Sequence, residues 1–208
     1  MRSIYKAIAA ALLIVALAAA VIQIPNTKNN SHLIDGEQLQ HILESAEYPT
    51  DAAETAVLSA ASIVGKVHYF WGGKSFCMGH DPEWDTPKTV TSTGHSTTGT
   101  VRPYGLDCSG LVTWAYIQAG CLMDDIGNGT WNQWVKSDEI DKAELRPGDL
   151  GFQNKYPGSS WNHVGIFIGC YDEQPVFIHC IPSYDNVVVT SGDGMFNYFR
   201  RPLLGDAD

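Results

Sequence analysis

From Leu145 onward the apolar residues of this chain fall in short β-rich runs. The segments "LRPGDLGFQ", "NHVGIFIGC", "PVFIHCI", "NVVVTS" and "MFNYFRRP" are each bounded by turn residues, and Pro147-Gly148 supplies the first turn. Before them the period is helical. In "DAAETAVLSAASIVGKV" the residues Ala56, Val57, Ala60, Ala61 and Val64 make one stripe, with Asp51 placed as cap and Glu54 three residues on. A second helix is expected over 109–119, with Leu111, Val112, Ala115, Tyr116 and Ala119 buried and Gly120 as a left-handed cap. "TWNQWVKS" reads as another short helix, and "HYFWGGKS" as an extended segment ending in a tight turn. Helices first and consecutive strands later predict an α+β domain, its N-terminal helices packed on an antiparallel sheet. A chain of 208 residues, 44% hydrophobic and 17% charged, suits one such domain.

The first twenty-four residues stand apart. After Arg2 and Lys6 the run from Ala7 to Ile24 carries no charge. Eighteen helical residues span roughly 27 Å, enough for a hydrocarbon core. Two readings stay open: a signal peptide cleaved near Ala18-Ala19-Ala20, or a retained anchor with Arg2 and Lys6 in the cytoplasm. Both put the remainder outside the cytoplasm, secreted or membrane-anchored. Residues 25–50 are expected as a linker that begins as a polar stalk, with a short helix over Leu39–Glu47, and 51–208 as the folded domain.

The chain carries a formal charge of −10, which becomes −12 without Arg2 and Lys6. Nucleic acid as a partner is excluded, because phosphates need a basic surface. Five cysteines are present, Cys77, Cys108, Cys121, Cys170 and Cys180. An oxidising compartment would allow two pairs with Cys108 left free; the alternative is that the other four are unpaired small hydrophobes.

Residues 74–106 look like an insertion. Seven of the fifteen residues from Thr86 to Thr100 are Thr, and periodicity vanishes. Long loops of this kind inside compact domains are usually functional or mobile. Cys77, His80, Asp81 and His95 lie within it. Without a second ligand pair at fixed spacing they make a weak metal signal, and neither a metal nor another cofactor is expected.

Chemistry points elsewhere. In "YGLDCSGLVTWAYIQAG" the thiol of Cys108 stands at the expected start of a helix. The unpaired N–H groups and dipole there favour a thiolate. A nucleophilic thiol also needs an imidazole and a third group to orient it. His163 begins one predicted strand and His179 lies in the next.

The ordered set "YFWGG" (69–73), "DCSGLV" (107–112), "LRPGDLGF" (145–152), "HVGIFIG" (163–169) and "IHC" (178–180) resembles the successive motifs of the NlpC/P60 cysteine peptidases. The resemblance covers about residues 52–202. It implies a papain-like α+β fold and, as substrate, the stem peptide of bacterial peptidoglycan, cut between the γ-carboxyl of D-glutamate and the diamino acid. It also implies roles: Cys108 as nucleophile, His163 as general base and later acid, His179 as the orienting third member. Tyr69 would help hold the oxyanion, with the Cys108 backbone N–H as the other donor. Asp107 and Ser109 would line the substrate groove, Asp107 receiving a free amine of the peptide; Asp107 as a plain helix cap is an equal and compatible reading. The chain departs from the family pattern in the thirty-four residues between Gly73 and Cys108, which are expected to rim the groove.

Side chains alternate across a strand, so His163 and His179 share a face only in certain registers. Direct opposition would need a three-residue loop, Cys170 to Asp172. A slip of four residues separates them by about 13 Å, and a diagonal lies between. Rival readings are an amidase or acyltransferase of the same fold, an inactive wall-binding module, and an accessory part of a membrane-anchored secretion or transfer machine. The spaced aromatics Trp131, Trp134 and Trp161 are expected mainly as core, and Arg200-Arg201 at the surface.

Overall fold

The computed structural model describes residues 32–157, 162–192 and 194–204. The expected signal or anchor segment, 1–24, lies outside them. Among the described residues no helix is long and apolar enough to cross a membrane.

Among the described residues five α-helices and eight strands follow in order: α1 (Gly36–Ser45), α2 (Asp51–Ser62), β1 (Pro87–Thr89), β2 (Val101–Pro103), α3 (Cys108–Gln118), α4 (Met123–Ile126), α5 (Thr130–Val135), β3 (Ser137–Ile140), β4 (Leu150–Phe152), β5 (Val164–Tyr171), β6 (Gln174–Ile181), β7 (Asn186–Ser191) and β8 (Tyr198–Pro202). β1 and β2 form a separate hairpin in the insertion, and the other six strands make one sheet in the order β3-β8-β4-β5-β6-β7. All of its neighbouring strands run antiparallel. The helix-then-sheet expectation holds, as does each of the five C-terminal strands. β3 was not anticipated. Its sequence, Ser-Asp-Glu-Ile, lacks the alternation that marks a half-buried strand, yet as an edge strand it pairs with β8.

α3 is the central helix. It packs against α2 on one side and β5 and β6 on the other. Every residue from Cys108 to Tyr116 is buried, so the expected apolar stripe is too narrow. The side away from the sheet is closed by the insertion, where Trp84 meets Trp114 edge-on at 5.4 Å. Gly120 does take the left-handed conformation, at φ 82°. α2 is capped one residue earlier than expected: the Thr50 side chain accepts from the Ala53 amide, and Asp51 is the first helical residue.

The segment from Leu33 is not a linker. Leu33 bridges to Thr190, and the Ile34 amide donates to the Val189 carbonyl at 3.0 Å, covering the open edge of β7. α1 begins three residues before the expected start because Asp35 and Gln38 form a capping box. Leu39, Ile42 and Leu43, spaced i, i+3, i+4, then bury one stripe against β5.

Two apolar clusters flank the sheet. The larger joins the helices to Val164, Ile166, Ile168, Ile178 and Cys180. The smaller, on the opposite face, consists of Phe167, Phe177, Phe196 and Phe199. Trp134 is core, packed edge-on to Phe152 at 5.2 Å, whereas Trp131 is half exposed against Tyr156. Arg200 and Arg201 are not plain surface residues. Arg200 lies over the Trp134 ring at 4.4 Å, and Arg201 pairs with the buried Asp149.

Candidate active site

The peptide around Cys108 is set by close backbone packing. The Phe70 amide donates to the Leu106 carbonyl at 3.0 Å, and the Leu106 amide to the His68 carbonyl at 3.1 Å. The chain from His68 to Gly73 thus lies beside the entry to α3. Any Cβ on Gly110 would stand 2.2 Å from the Gly73 carbonyl oxygen. The glycine after Cys108-Ser109 therefore lets the "WGG" turn lie on the first turn of the helix.

Asp107 caps that helix. Its carboxylate accepts from the Gly110 amide at 2.7 Å and from the Ser109 hydroxyl at 2.9 Å. It also binds the Lys74 ammonium, which donates to Ser109 Oγ at 2.8 Å as well. The cap reading of Asp107 is met. The position considered for a substrate amine already holds one of the chain's own.

Cys108, Tyr69 and His163 line one cavity of about 240 Å³, together with Trp71, His95, Gln153, Asn162, Ile181 and Met195 among others. The thiol receives backbone hydrogen bonds from Val164 and Ser109. Burial, and then the Asp107 carboxylate, pushes its pKa up to about 12; Lys74 and the two amides pull the other way. Tyr69 is raised too, first by burial and then by the charges Cys108 and Asp107 can carry, so its hydroxyl remains a donor.

His163 and His179 meet through their rings. Nε2 of His163 lies 2.9 Å from Nδ1 of His179, and Nε2 of His179 lies 3.0 Å from Thr190 Oγ1. The register is neither of the two extremes. Near the turn β5 and β6 pair Gly169 with Val176, but below a bulge they pair Phe167 with Phe177 and Ile166 with Ile178. Continued downward, the lower register sets His163 diagonal to His179, two residues along, on a shared face. The upper register continued straight would set His163 opposite Pro182 and turn the two rings to opposite faces. The bulge corrects the parity.

That shared face also carries Phe167 and Phe177. Phe196 covers the pair, stacked on His163 at 5.6 Å and edge-on to His179 at 5.4 Å. A Cβ on Gly165 would meet the Phe196 ring at 2.7 Å, so the glycine of "HVG" makes room for that cover. Burial lowers the pKa of His179 to about 3, so this ring is neutral at physiological pH. Asn162 fixes the approach to β5: its Oδ1 accepts from the amides of Asn154 and His163 at 2.9 and 3.0 Å.

Lys74, Thr190, Phe196 and Asn162 were not singled out by sequence. Thr190 could be placed only once the β6–β7 register was known. It is two residues from Val188, the partner of His179, and hence on the same face of β7. The insertion's Cys77, His80, Asp81 and His95 do not gather: His80 lies against Trp84 and His95 against Trp71. Among the described residues no group of three or more His, Cys, Asp or Glu is arranged to hold a metal ion. All five cysteines are free thiols.

The model of the NlpC/P60 family matches residues 66–201, well over half of the chain and every element from the Tyr69 segment to β8. This chain belongs to the NlpC/P60 family. Among relatives, it is 30% identical over 121 residues to the peptidoglycan DL-endopeptidase CwlO of Bacillus licheniformis, covering 57% of this chain and 21% of that protein. It is 38% identical over 73 residues to a probable endopeptidase p60 of Listeria grayi, covering 35% of this chain and 13% of that one. The matches thus span about a fifth or less of these relatives' own length. The fold is similar to that of the peptidoglycan hydrolase RipB of Mycobacterium tuberculosis, which superposes with a TM-score of 0.52 at 23% identity over 95% of this chain and 84% of that one.

Proposed function

We propose that the protein is a cysteine endopeptidase that hydrolyses an amide bond in the stem peptide of bacterial peptidoglycan, at the γ-D-glutamyl to diamino acid linkage. The observation that carries this reading is a thiol and an imidazole lining one cavity, the imidazole's far nitrogen held by a second, neutral imidazole. The names of the related endopeptidases supply the substrate class.

With Nε2 of His163 engaged by His179, Nδ1 is the nitrogen assigned to the Cys108 proton. The proton order consistent with that role is His163 Nε2–H donating to His179 Nδ1, and His179 Nε2–H donating to Thr190 Oγ1. A thiol raised toward 12 is not ionised alone at neutral pH. The thiolate forms together with an imidazolium, as His163 takes the proton. Sulfur then bonds to the amide carbon, and the oxyanion takes hydrogen bonds from the Tyr69 hydroxyl and the Cys108 amide. His163 returns the proton to the leaving amine as the C–N bond breaks. Water, deprotonated by His163, attacks the thioester; the acid leaves and the proton goes back to sulfur.

Asp107 and Ser109 hold the first turn of α3 and Lys74; a substrate amine at Asp107 would compete with that ammonium. The site is assigned to the outside of the cytoplasm, where stem peptides are. The test is mass spectrometry of muropeptides after incubating purified wall with the full chain and with Cys108→Ala. Fragments ending in D-glutamate, absent with the variant, are expected. Equal release by both proteins would refute the assignment.

A further inference from the structure

The insertion is seated on the "YFWGG" motif. The Trp71 indole N–H donates to the Thr93 carbonyl at 2.9 Å. A Cβ on Gly72, which has φ 79°, would strike Ser92 Oγ at 1.9 Å. The His95 ring stacks on Trp71 at 5.1 Å with 21° between planes, and lies 6.1 Å from the Tyr69 ring. His95 is thereby a wall of the cavity that contains Cys108 and His163.

Its tautomer is also set. The Thr97 amide donates to Nδ1 at 3.3 Å, and Thr97 Oγ1 is 2.8 Å from the same atom. An Nδ1 that accepts from an amide leaves the ring proton on Nε2. The insertion therefore contributes to the cavity wall a ring whose proton is on Nε2, the nitrogen not engaged by Thr97. Among the described residues, those lining that cavity include no Asp, Glu, Lys or Arg.

We propose that His95 is a substrate-binding residue, its Nε2–H donating a hydrogen bond to the α-carboxylate of the γ-linked glutamyl residue whose side-chain carbonyl Cys108 attacks. The inference rests on the peptidase reading and deepens it. A γ-linked glutamate spends its side-chain carboxyl in the scissile amide and leaves the α-carboxylate free. That anion is only four bonds from the reacting carbon, a span comparable with the separation of the His95 and Tyr69 rings. An α-linked residue without an acidic side chain has no anion there, whereas an α-linked glutamyl residue carries one at the same remove. His95 would thus read the free carboxylate of the glutamyl residue, and N–H donation to a carboxylate is about twice as strong as to a neutral acceptor.

The test compares two acyl-γ-D-glutamyl-L-lysine peptides, one with a free α-carboxylate and one with an α-carboxamide, on the full chain and on His95→Ala and His95→Gln. His95→Ala is expected to raise KM about tenfold for the carboxylate peptide and about threefold for the carboxamide, with kcat changed less than about twofold. His95→Gln, which keeps an N–H donor, is expected to recover part of the KM. An unchanged KM for both peptides, or an equal fall in kcat on both without rescue by Gln, overturns the proposal. A second measurement does not depend on turnover. In Cys108→Ala, the His95 Nε2 nitrogen resonance should move when the carboxylate peptide is added; if it stays in place the proposal is overturned. Wild-type protein that cleaves neither peptide would sink the peptidase reading, while the resonance still judges His95.

Discussion

The imidazole row and the insertion face each other across one cavity, yet they are held in different ways. His163, immediately before β5, and His179 and Thr190, on β6 and β7, are all buried; the His163 carbonyl accepts from the Gln153 amide at 3.0 Å, and the other two lie within the β6–β7 ladder. The insertion's own sheet is a hairpin of three-residue strands, mostly exposed, and the insertion is held at its ends and through contacts with Trp71, Gly72, Asp107, Trp114 and Gln118. The difference divides the labour. Under the proposed mechanism proton transfer, which needs fixed ring geometry, falls to the rings held at the sheet, while recognition falls to a loop whose sequence varies more freely.

The sharpest way to break this division is at the thiol and its base. His163→Ala should lower kcat/KM by roughly 10³–10⁴, measured on the carboxylate peptide. It should also abolish alkylation of Cys108 by iodoacetamide at neutral pH. Reaction should then return only in strong alkali, because without the imidazolium the thiol keeps its raised pKa of about 12. Neutral-pH alkylation at the wild-type rate would show that His163 does not ionise the thiol.

Next in size is His179→Asn, expected to lower kcat by roughly 10–100-fold, as loss of an orienting partner does elsewhere. This variant also tests stability. The folded pKa of about 3 lies below the unfolded value of about 6.5. Between those values the unfolded chain binds more protons, so stability is full above pH 6.5 and falls on acidification toward pH 3. The slope from this one group is at most about 1.4 kcal/mol per pH unit. Denaturant melts across pH 4–7 should be flatter for His179→Asn than for wild type; identical slopes would remove His179 as the source.

On the insertion side, Trp71→Ala removes the stack under His95 and the bond to Thr93. A KM several-fold higher with nearly constant kcat is expected; a large fall in kcat would erase the contrast between the two regions. Asp107→Ala removes a helix cap and is expected to cost about 1 kcal/mol, more where the Lys74 ammonium is left without its carboxylate. The smallest effect concerns the turn between β5 and β6. Asp172 and Glu173 have φ of 48° and 62°, a conformation that Asn-Gly adopts more readily. Asp172→Asn with Glu173→Gly should raise stability by about 1 kcal/mol with activity unchanged.

How much of this was legible follows the same line. The C-terminal strands could be read because "HVGIFIG", "PVFIHCI" and "NVVVTS" carry the β-branched and aromatic residues that mark strands. The histidines could be nominated by order, but their distance could not. It depends on one unpaired residue in β5, which leaves no mark in the pattern "GIFIG". Lys74 and Asp107 lie thirty-three positions apart and meet only because Gly73 and Gly110 allow the backbones to touch. Phe196 lies in a run expected as a strand, and only its packing against Gly165 reveals its place over the rings. The insertion had no period to read, so its hairpin and the seat of His95 came from tertiary contacts alone.

The kink between Phe167 and Gly169 has one more consequence. It separates the tip of the β5–β6 hairpin from its base, and the base is pinned independently by β4 and β7. Asp172–Glu173 is therefore a natural graft point, where a tag, a carrier or a longer loop can be spliced in while the two rings below keep their spacing.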